Sequence, residues 1–278
     1  MPGPNRKSKI EIRKSKSMGL PLTITFLGTG TSQGVPMVGC GCPVCASRDP
    51  RDNRTRSSIH VWTPQCAWVI DTGPEFRVQC LREKIDRIDA VVYTHSHTDH
   101  MMGFDDLRPF CANGRDIPIY ASAETMADLK RVFAFAFGAP GFVPGYVRPH
   151  PHLIDGPFPL CGTLLTPLPL KHGRARVNGY LIECEGRKLA AYLSDCKEVP
   201  ATVIERIHGV EALIIDALRY AEHPTHLSVG EALEVAARVQ PRQTWFTHIC
   251  HDLGHAEAES RLPAGTRIAY DGLKLEFQ

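Results

Sequence analysis

No apolar run in this 278-residue chain approaches the roughly 20 residues that span a bilayer. Neither sign of charge dominates: 32 Lys and Arg face 30 Asp and Glu, a net charge of +2 that gives no bulk attraction to nucleic acid or to an anionic membrane. The N-terminus is basic but has no apolar segment of the secretory type, so a cytoplasmic location is expected. Disulfide frameworks belong to short secreted chains. In a chain of this length the ten cysteines are expected as metal ligands or buried free thiols. What is present, 43% hydrophobic and 22% charged residues, is the make-up of a soluble globular protein with room for a large core.

Residues 1–20 stand apart. Arg6, Lys7, Lys9, Arg13, Lys14 and Lys16 face only Glu11, with no packing pattern, so a solvated, disordered basic tail is expected. Residues 21–278 show no linker and read as one domain. Leu22–Leu27, Ser58–Trp62, Ala67–Asp71, Ala90–Tyr93 and Ile117–Tyr120 read as strands, with a hairpin turn at Thr63–Cys66. A helix is expected from Phe76 to Lys84. Another, capped by Ser122, carries Met126, Leu129, Phe133 and Phe137 at helical spacing. The second half repeats the style, with strands at 163–168, 179–183, 188–193, 212–216 and 244–248. Ser228 and Glu231 form a capping box for a helix through Val239. Two strand-rich halves with intervening helices predict an α/β sandwich of two packed sheets covered by helices.

The chemistry concentrates where strands stop. Ala90-Val91-Val92-Tyr93 runs directly into Thr94-His95-Ser96-His97-Thr98-Asp99-His100, and imidazole and carboxylate are ligands for borderline divalent ions. His172, Asp195 and His248 each follow another strand. One ion would take His95, His97 and His172; a second would take Asp99, His100 and His248; Asp195 has two oxygens with which to bridge them. An open position on each ion marks a catalytic site.

The series His95-x-His97-x-Asp99-His100, then His172, Asp195 and His248, resembles the metallo-β-lactamase superfamily from residue 22 onward. The resemblance implies an αββα sandwich with the metals at one edge of the sheets, and Asp71 in Val69-Ile70-Asp71-Thr72-Gly73 as a support for the metal loop. True β-lactamases carry cysteine or serine where Asp195 stands, so antibiotic hydrolysis is disfavoured. Flavodiiron oxidoreductases carry an acid where His97 stands, so redox chemistry is disfavoured too.

Gly39-Cys40-Gly41-Cys42-Pro43-Val44-Cys45 places three thiols within six residues. Three thiolates and one further ligand make a closed tetrahedral site whose usual occupant is Zn²⁺. His251 is the favoured fourth ligand and Cys250 the competing one. With Gly28-Thr29-Gly30-Thr31-Ser32-Gln33-Gly34-Val35-Pro36, this pattern resembles the branch containing the phosphoribosyl 1,2-cyclic phosphate phosphodiesterases of the carbon–phosphorus lyase pathway. That resemblance implies a structural zinc at Cys40, Cys42, Cys45 and His251.

The expected reaction is hydrolysis of a small, cyclic phosphodiester by hydroxide activated between two divalent ions, Mn²⁺ or Zn²⁺. His226, placed just before a helix, is the expected acid for the leaving oxygen, and the branch has a catalytic histidine matching it; His223 is the alternative. Ser32, Gln33 and Lys171 are expected near phosphate, with Arg174 and Arg176 as further candidates. His60, His150, His152, His208 and His255 read as surface or packing residues. The region from Asp105 to His152, with Phe133, Phe135, Phe137, Phe142 and Tyr146, is expected to border the substrate. A ribonuclease Z-like nuclease is one alternative, although no inserted RNA-gripping arm is visible. An accessory protein like that of the pyrroloquinoline quinone pathway is the other. No membrane partner is expected, and a homodimer is left open.

Overall fold

The computed structural model describes residues 21–138 and 145–278. The basic segment 1–20 and Phe142 lie outside the described residues. The first sheet contains β1 (Leu22–Gly28), β2 (Ser58–Trp62), β3 (Ala67–Ile70), β4 (Ala90–Val92), β5 (Ile117–Ala121) and β6 (Pro149–Leu153). The second contains β7 (Phe158–Leu160), β8 (Thr163–His172), β9 (Ala175–Cys184), β10 (Arg187–Leu193), β11 (Ala212–Asp216), β12 (Gln243–Thr247) and β13 (Thr266–Ile268). β14 (Lys274–Phe277) returns to the first sheet beside β1.

Each seven-stranded sheet is antiparallel on one side and parallel on the other. In the first, β3 to β6 run parallel; in the second, β10 to β13 do. Parallel neighbours need crossovers, and helices supply them. These are α1 (Phe76–Glu83), α2 (Thr98–Met101), α3 (Ala123–Val132), α4 (Ala134–Phe137), α5 (Ala201–Ile207), α6 (Val229–Val239) and α7 (His255–Ser260). The parallel strands β4 and β11 are buried throughout, which explains their unbroken apolar runs.

The sheets pack face to face. Trp68, Ile70, Val92 and Phe26 of the first meet Tyr180, Tyr192, Ala212 and Ile214 of the second. Outside this layer, α5, α6 and α7 cover the second sheet through Ile204, Val235 and Ala258. On the other face α1 and α3 cover the first through Phe76, Met126 and Leu129. Each large apolar side chain so buried contributes about 1.5–3 kcal/mol. The expected αββα sandwich is therefore observed. No helix among the described residues is long and apolar enough to cross a membrane.

Three features differ from the sequence reading. The helix expected to run through Phe137 breaks at Phe133, whose φ of −107° and ψ of 40° leave the helical region. The break lets Phe133 and Phe137 both stack on Phe104, with ring centroids 4.6 and 5.6 Å away. Packing overrides the local periodicity here. The sequence reading assigns no strand to Pro149-His150-Pro151-His152-Leu153, yet β6 forms there as the largely exposed edge of the first sheet. Proline is tolerated at an edge, where its missing N–H costs no ladder bond. Cys66 and Cys161, against the expectation of metal ligands or free thiols, are paired as a disulfide with Cα atoms 5.6 Å apart.

Candidate metal centre

The C-terminal ends of β3, β4, β10, β11 and β12 open onto one edge of the sandwich. The segments leaving them, including the start of α2, carry Asp71, His95 to His100, Asp195 and His248. Asp71 is the support beneath. It is fully buried and holds φ at +66°, a conformation that non-glycine residues adopt at a cost. Its Oδ1 accepts from Thr94 N (2.8 Å) and its Oδ2 from Thr94 Oγ1 (2.7 Å) and His100 Nδ1 (2.7 Å). Close backbone approach completes the support. A Cβ on Gly73 would strike the Asp99 carbonyl oxygen, and one on Gly103 the Gly73 carbonyl oxygen.

These bonds also fix tautomers. His100 spends its Nδ1 proton on Asp71. His172 spends its own on Thr225 O (2.7 Å), and His95 Nδ1 lies 2.9 Å from Thr94 Oγ1. In each ring Nε2 is left with a free lone pair, the form that ligates metal.

One cluster holds His95, His97 and His172, and a second holds Asp99, His100, Asp195 and His248. Within each, the ligating atoms lie inside 4.8 Å of one another. Asp195 stands between them: Oδ1 is 3.2 Å from His100 Nε2, while Oδ2 is 3.2 Å from His248 Nε2 and 4.0 Å from His172 Nε2. Asp99 Oδ2 is 3.2 Å from His100 Nε2 and 3.8 Å from His248 Nε2. Nε2 of His95, His100 and His248 and Oδ1 of Asp195 are buried with no hydrogen-bond partner. An unpaired buried polar atom costs about 1–3 kcal/mol, and four in one place would be a heavy burden. Such a donor set fits divalent cations.

The electrostatics agree. Burial, then the neighbouring His100, hold His95 well below its ordinary pKa, so it stays a neutral ligand. Burial works to raise Asp195, but His100 and His248 outweigh it and keep the carboxyl well below the usual range. At His100 burial opposes charge, yet Asp195, Asp99 and Asp71 hold the ring well above its ordinary value, so a cation binding at its Nε2 must displace a proton.

His226 joins this group. Its ring stacks on His248 with centroids 4.6 Å apart, and it forms a third cluster with His172 and Asp195. Its Nδ1 lies 2.7 Å from Oδ2 of Asp216, the last residue of β11. Burial, then the proximity of His248, push His226 down to about 3. Burial pushes Asp216 well up. Asp216 was not singled out in the sequence. Its signal was a lone carboxylate closing a wholly apolar strand, as Asp71 does after Val69-Ile70. His223 is the next ring outward, with its centroid 5.2 Å from that of His226.

Of the residues expected near phosphate, Ser32 and Gln33 are exposed on a loop tied down by Thr31 N donating to Ile249 O (3.1 Å), next to His248. Lys171 is exposed, and its Nζ bonds Glu198 Oε1 at 2.7 Å. Arg176 lies 3.5 Å from Glu124 on an exposed face.

Cys40, Cys42, Cys45 and His251 form a separate cluster. His251 Nδ1 is 3.2 Å from Cys40 Sγ and 3.4 Å from Cys42 Sγ. Cys250 instead accepts from Asp252 N and stays outside the cluster. The Cys45 N–H, then His251, lower the Cys42 thiol to about 6, which favours the thiolate that metals bind. A closed Cys₃His set fits Zn²⁺.

The match to known proteins follows the same lines. The description "Beta-lactamase superfamily domain" matches residues 68–249, and the chain belongs to the metallo-β-lactamase superfamily. Within it, the chain is similar to a crystal structure of a new diphosphatase from the PhnP family. That similarity has a TM-score of 0.86 and 41% identity, covering 94% of this chain and 98% of that one. Zn²⁺-bound PqqB from Methylobacterium extorquens shares the fold, at TM-score 0.73 and 23% identity, with 92% of this chain and 100% of that one covered. A Porphyromonas gingivalis octanoyltransferase is 36% identical over 258 residues, which are 90% of this chain but 50% of that protein. This chain therefore spans about half the length of that relative.

Proposed function

We propose that this protein is a metal-dependent phosphodiesterase acting on a small, cyclic phosphodiester, most like a phosphoribosyl cyclic phosphate phosphodiesterase. The observation that carries the reading is the Asp216–His226 pair, set against two ligand clusters with Asp195 standing between them. Hydrolysis of such a diester needs charge neutralised at phosphorus and a proton for the departing sugar oxygen, and this site has groups for both. The working unit is residues 21–278, with residues 1–20 as a dispensable tail.

His95, His97 and His172 would hold one divalent ion, Asp99, His100 and His248 the other, and Asp195 both; Mn²⁺ or Zn²⁺ suits the set. Bound there, the ions supply positive charge beside phosphoryl oxygens and ease deprotonation of water. Cys40, Cys42, Cys45 and His251 would hold a structural Zn²⁺.

His226 does the proton work. Asp216 fixes its Nδ1, so Nε2 is the atom that can serve a leaving oxygen. The ring is neutral before substrate arrives. An anionic phosphodiester beside it favours the imidazolium and so loads the proton that the leaving alkoxide takes. Thr225, through its carbonyl on His172, ties this segment to the ligand cluster.

A second reading has one specific support. The 41% identical relative is described as a diphosphatase, which favours a P–O–P linkage. A nuclease role has less support, since the net charge of +2 gives no bulk attraction to RNA. A purely accessory role leaves the complete ligand set without a purpose.

The test is a substrate panel with added Mn²⁺ or Zn²⁺: a ribose cyclic phosphate, bis(p-nitrophenyl) phosphate and a dinucleoside diphosphate. The highest kcat/KM on the cyclic diester supports the proposal. Preference for the diphosphate supports the second reading, and no turnover of any of the three rules out both.

A further inference from the structure

Two hairpin turns meet across the sandwich at the end opposite the metal centre. β3 and β8 both run toward that centre, the first leading into Asp71 and the second ending at His172; Cys66 precedes β3, and Cys161 lies in the turn before β8. Cys66 thus belongs to the first sheet and Cys161 to the second. Their Cα atoms are 5.6 Å apart, within the usual disulfide range. The turns are also held together without sulfur. Buried Thr63 Oγ1 donates to Cys66 O (3.0 Å) and reaches Cys161 O (3.4 Å).

The conformation at Cys161 is a second, independent observation. Leu160 pairs with Thr163, so Cys161 and Gly162 form a two-residue hairpin loop. Their φ values, +54° and +79°, are both left-handed, the pattern of a type I′ turn. That turn favours Asn, Asp or Gly at its first position. Cysteine bears a steric cost there that glycine avoids. A disfavoured residue whose sulfur faces a cysteine of the other sheet points to a use for that sulfur.

We propose that Cys66 and Cys161 are a reversible thiol–disulfide site that staples the two sheets together and stabilises the fold without altering turnover. Both are only half-buried, within reach of a small oxidant. A low-molecular-weight disulfide such as glutathione disulfide is attacked by one protein thiolate, and one glutathione thiolate leaves. The second cysteine then displaces the other glutathione. One S–S bond forms in the protein, one breaks in the oxidant, and the two thiol protons end on two glutathione molecules. The closed loop, with a sequence separation of 95, restricts the unfolded chain.

The full chain, loaded with Zn²⁺ to protect the Cys40 cluster, is incubated with glutathione disulfide or with a phosphine reductant, alkylated and peptide-mapped. Melting and turnover of bis(p-nitrophenyl) phosphate are measured in both states. The expected result is a Cys66–Cys161 cross-link, a Tm about 4–8 °C higher when oxidised, and turnover within about twofold. Cys66→Ser should lose the redox-dependent Tm shift. Cys161→Gly should lose it too, yet melt no lower than the wild type under reducing conditions, since glycine suits the turn. Free Cys66 and Cys161 after oxidation would overturn the proposal. So would a cross-link to nearby Cys184, whose Sγ lies 3.7 Å from Gly162 O, or a Tm shift that survives Cys66→Ser.

Discussion

Nδ1 of His226 lies 2.7 Å from Oδ2 of Asp216, and Cys196 N donates to the same carboxylate oxygen at 3.0 Å. The carboxylate is thus held by the backbone and in turn holds the imidazole. In the proposed reaction Asp216 would act through His226, as a positioning residue.

This arrangement predicts a dependence on the leaving group. A sugar alkoxide needs a proton as it departs, whereas p-nitrophenolate leaves largely unaided. His226→Ala should slow a ribose cyclic phosphate by roughly 10²–10⁴-fold and the nitrophenyl ester far less. Asp216→Asn should show the same selectivity with a smaller loss. Equal losses on both substrates at unchanged metal content would assign His226 to phosphate binding.

Asp71 orients His100 and the Thr94 turn together. Asp71→Asn keeps the shape but leaves one of those donors facing an NH₂ group. Loss of such an orienting partner usually costs about 10–100-fold in metal affinity. Calorimetric titration of Mn²⁺ into the metal-stripped variant should show that weakening; an unchanged affinity would make Asp71 a packing residue only.

The two metal sites should separate on mutation. Asp195→Ala should abolish turnover and leave a folded protein. Cys42→Ala should lower both zinc content and Tm, because a closed site contributes its binding energy to folding. A Cys42→Ala protein with full zinc and full stability would remove the structural-zinc assignment.

Much of this was legible in the sequence because it lies close together. His95 to His100 fall on one short segment, the Cys40, Cys42 and Cys45 thiols on another, and apolar strands announce where loops begin. Ser228 and Glu231 make the expected capping box. What escaped detection was non-local. Asp216 gains meaning only from a partner ten residues away, and Cys66 only from Cys161, 95 residues away on the other sheet. β6 was hidden by prolines that an edge strand tolerates. The end of α3 at Val132 was set by the stacking of Phe133 on Phe104, which no periodicity encodes.

Buried His60 supplies a pH prediction away from the metal centre. Burial lowers its pKa, only partly offset by its bond to Arg87 O at 3.3 Å. The unfolded chain therefore takes up the proton first. This contribution to stability is whole above about pH 6.5, the ordinary histidine value, and falls as the pH drops below it. Urea unfolding from pH 7.5 to 5 should show a steeper loss for the wild type than for His60→Gln. Parallel curves would mean that His60 is not neutral in the fold.

In the proposed reaction two ions shared through Asp195 drive diester hydrolysis. The direct measurement is turnover of bis(p-nitrophenyl) phosphate by metal-stripped protein as Mn²⁺ is added, with metal content followed in parallel. No turnover is expected at the start, then a plateau at two ions per chain beyond the one held by the cysteine cluster, with Asp195→Ala inactive throughout. Full turnover in the stripped protein, or a plateau at one ion with Asp195 dispensable, would contradict it.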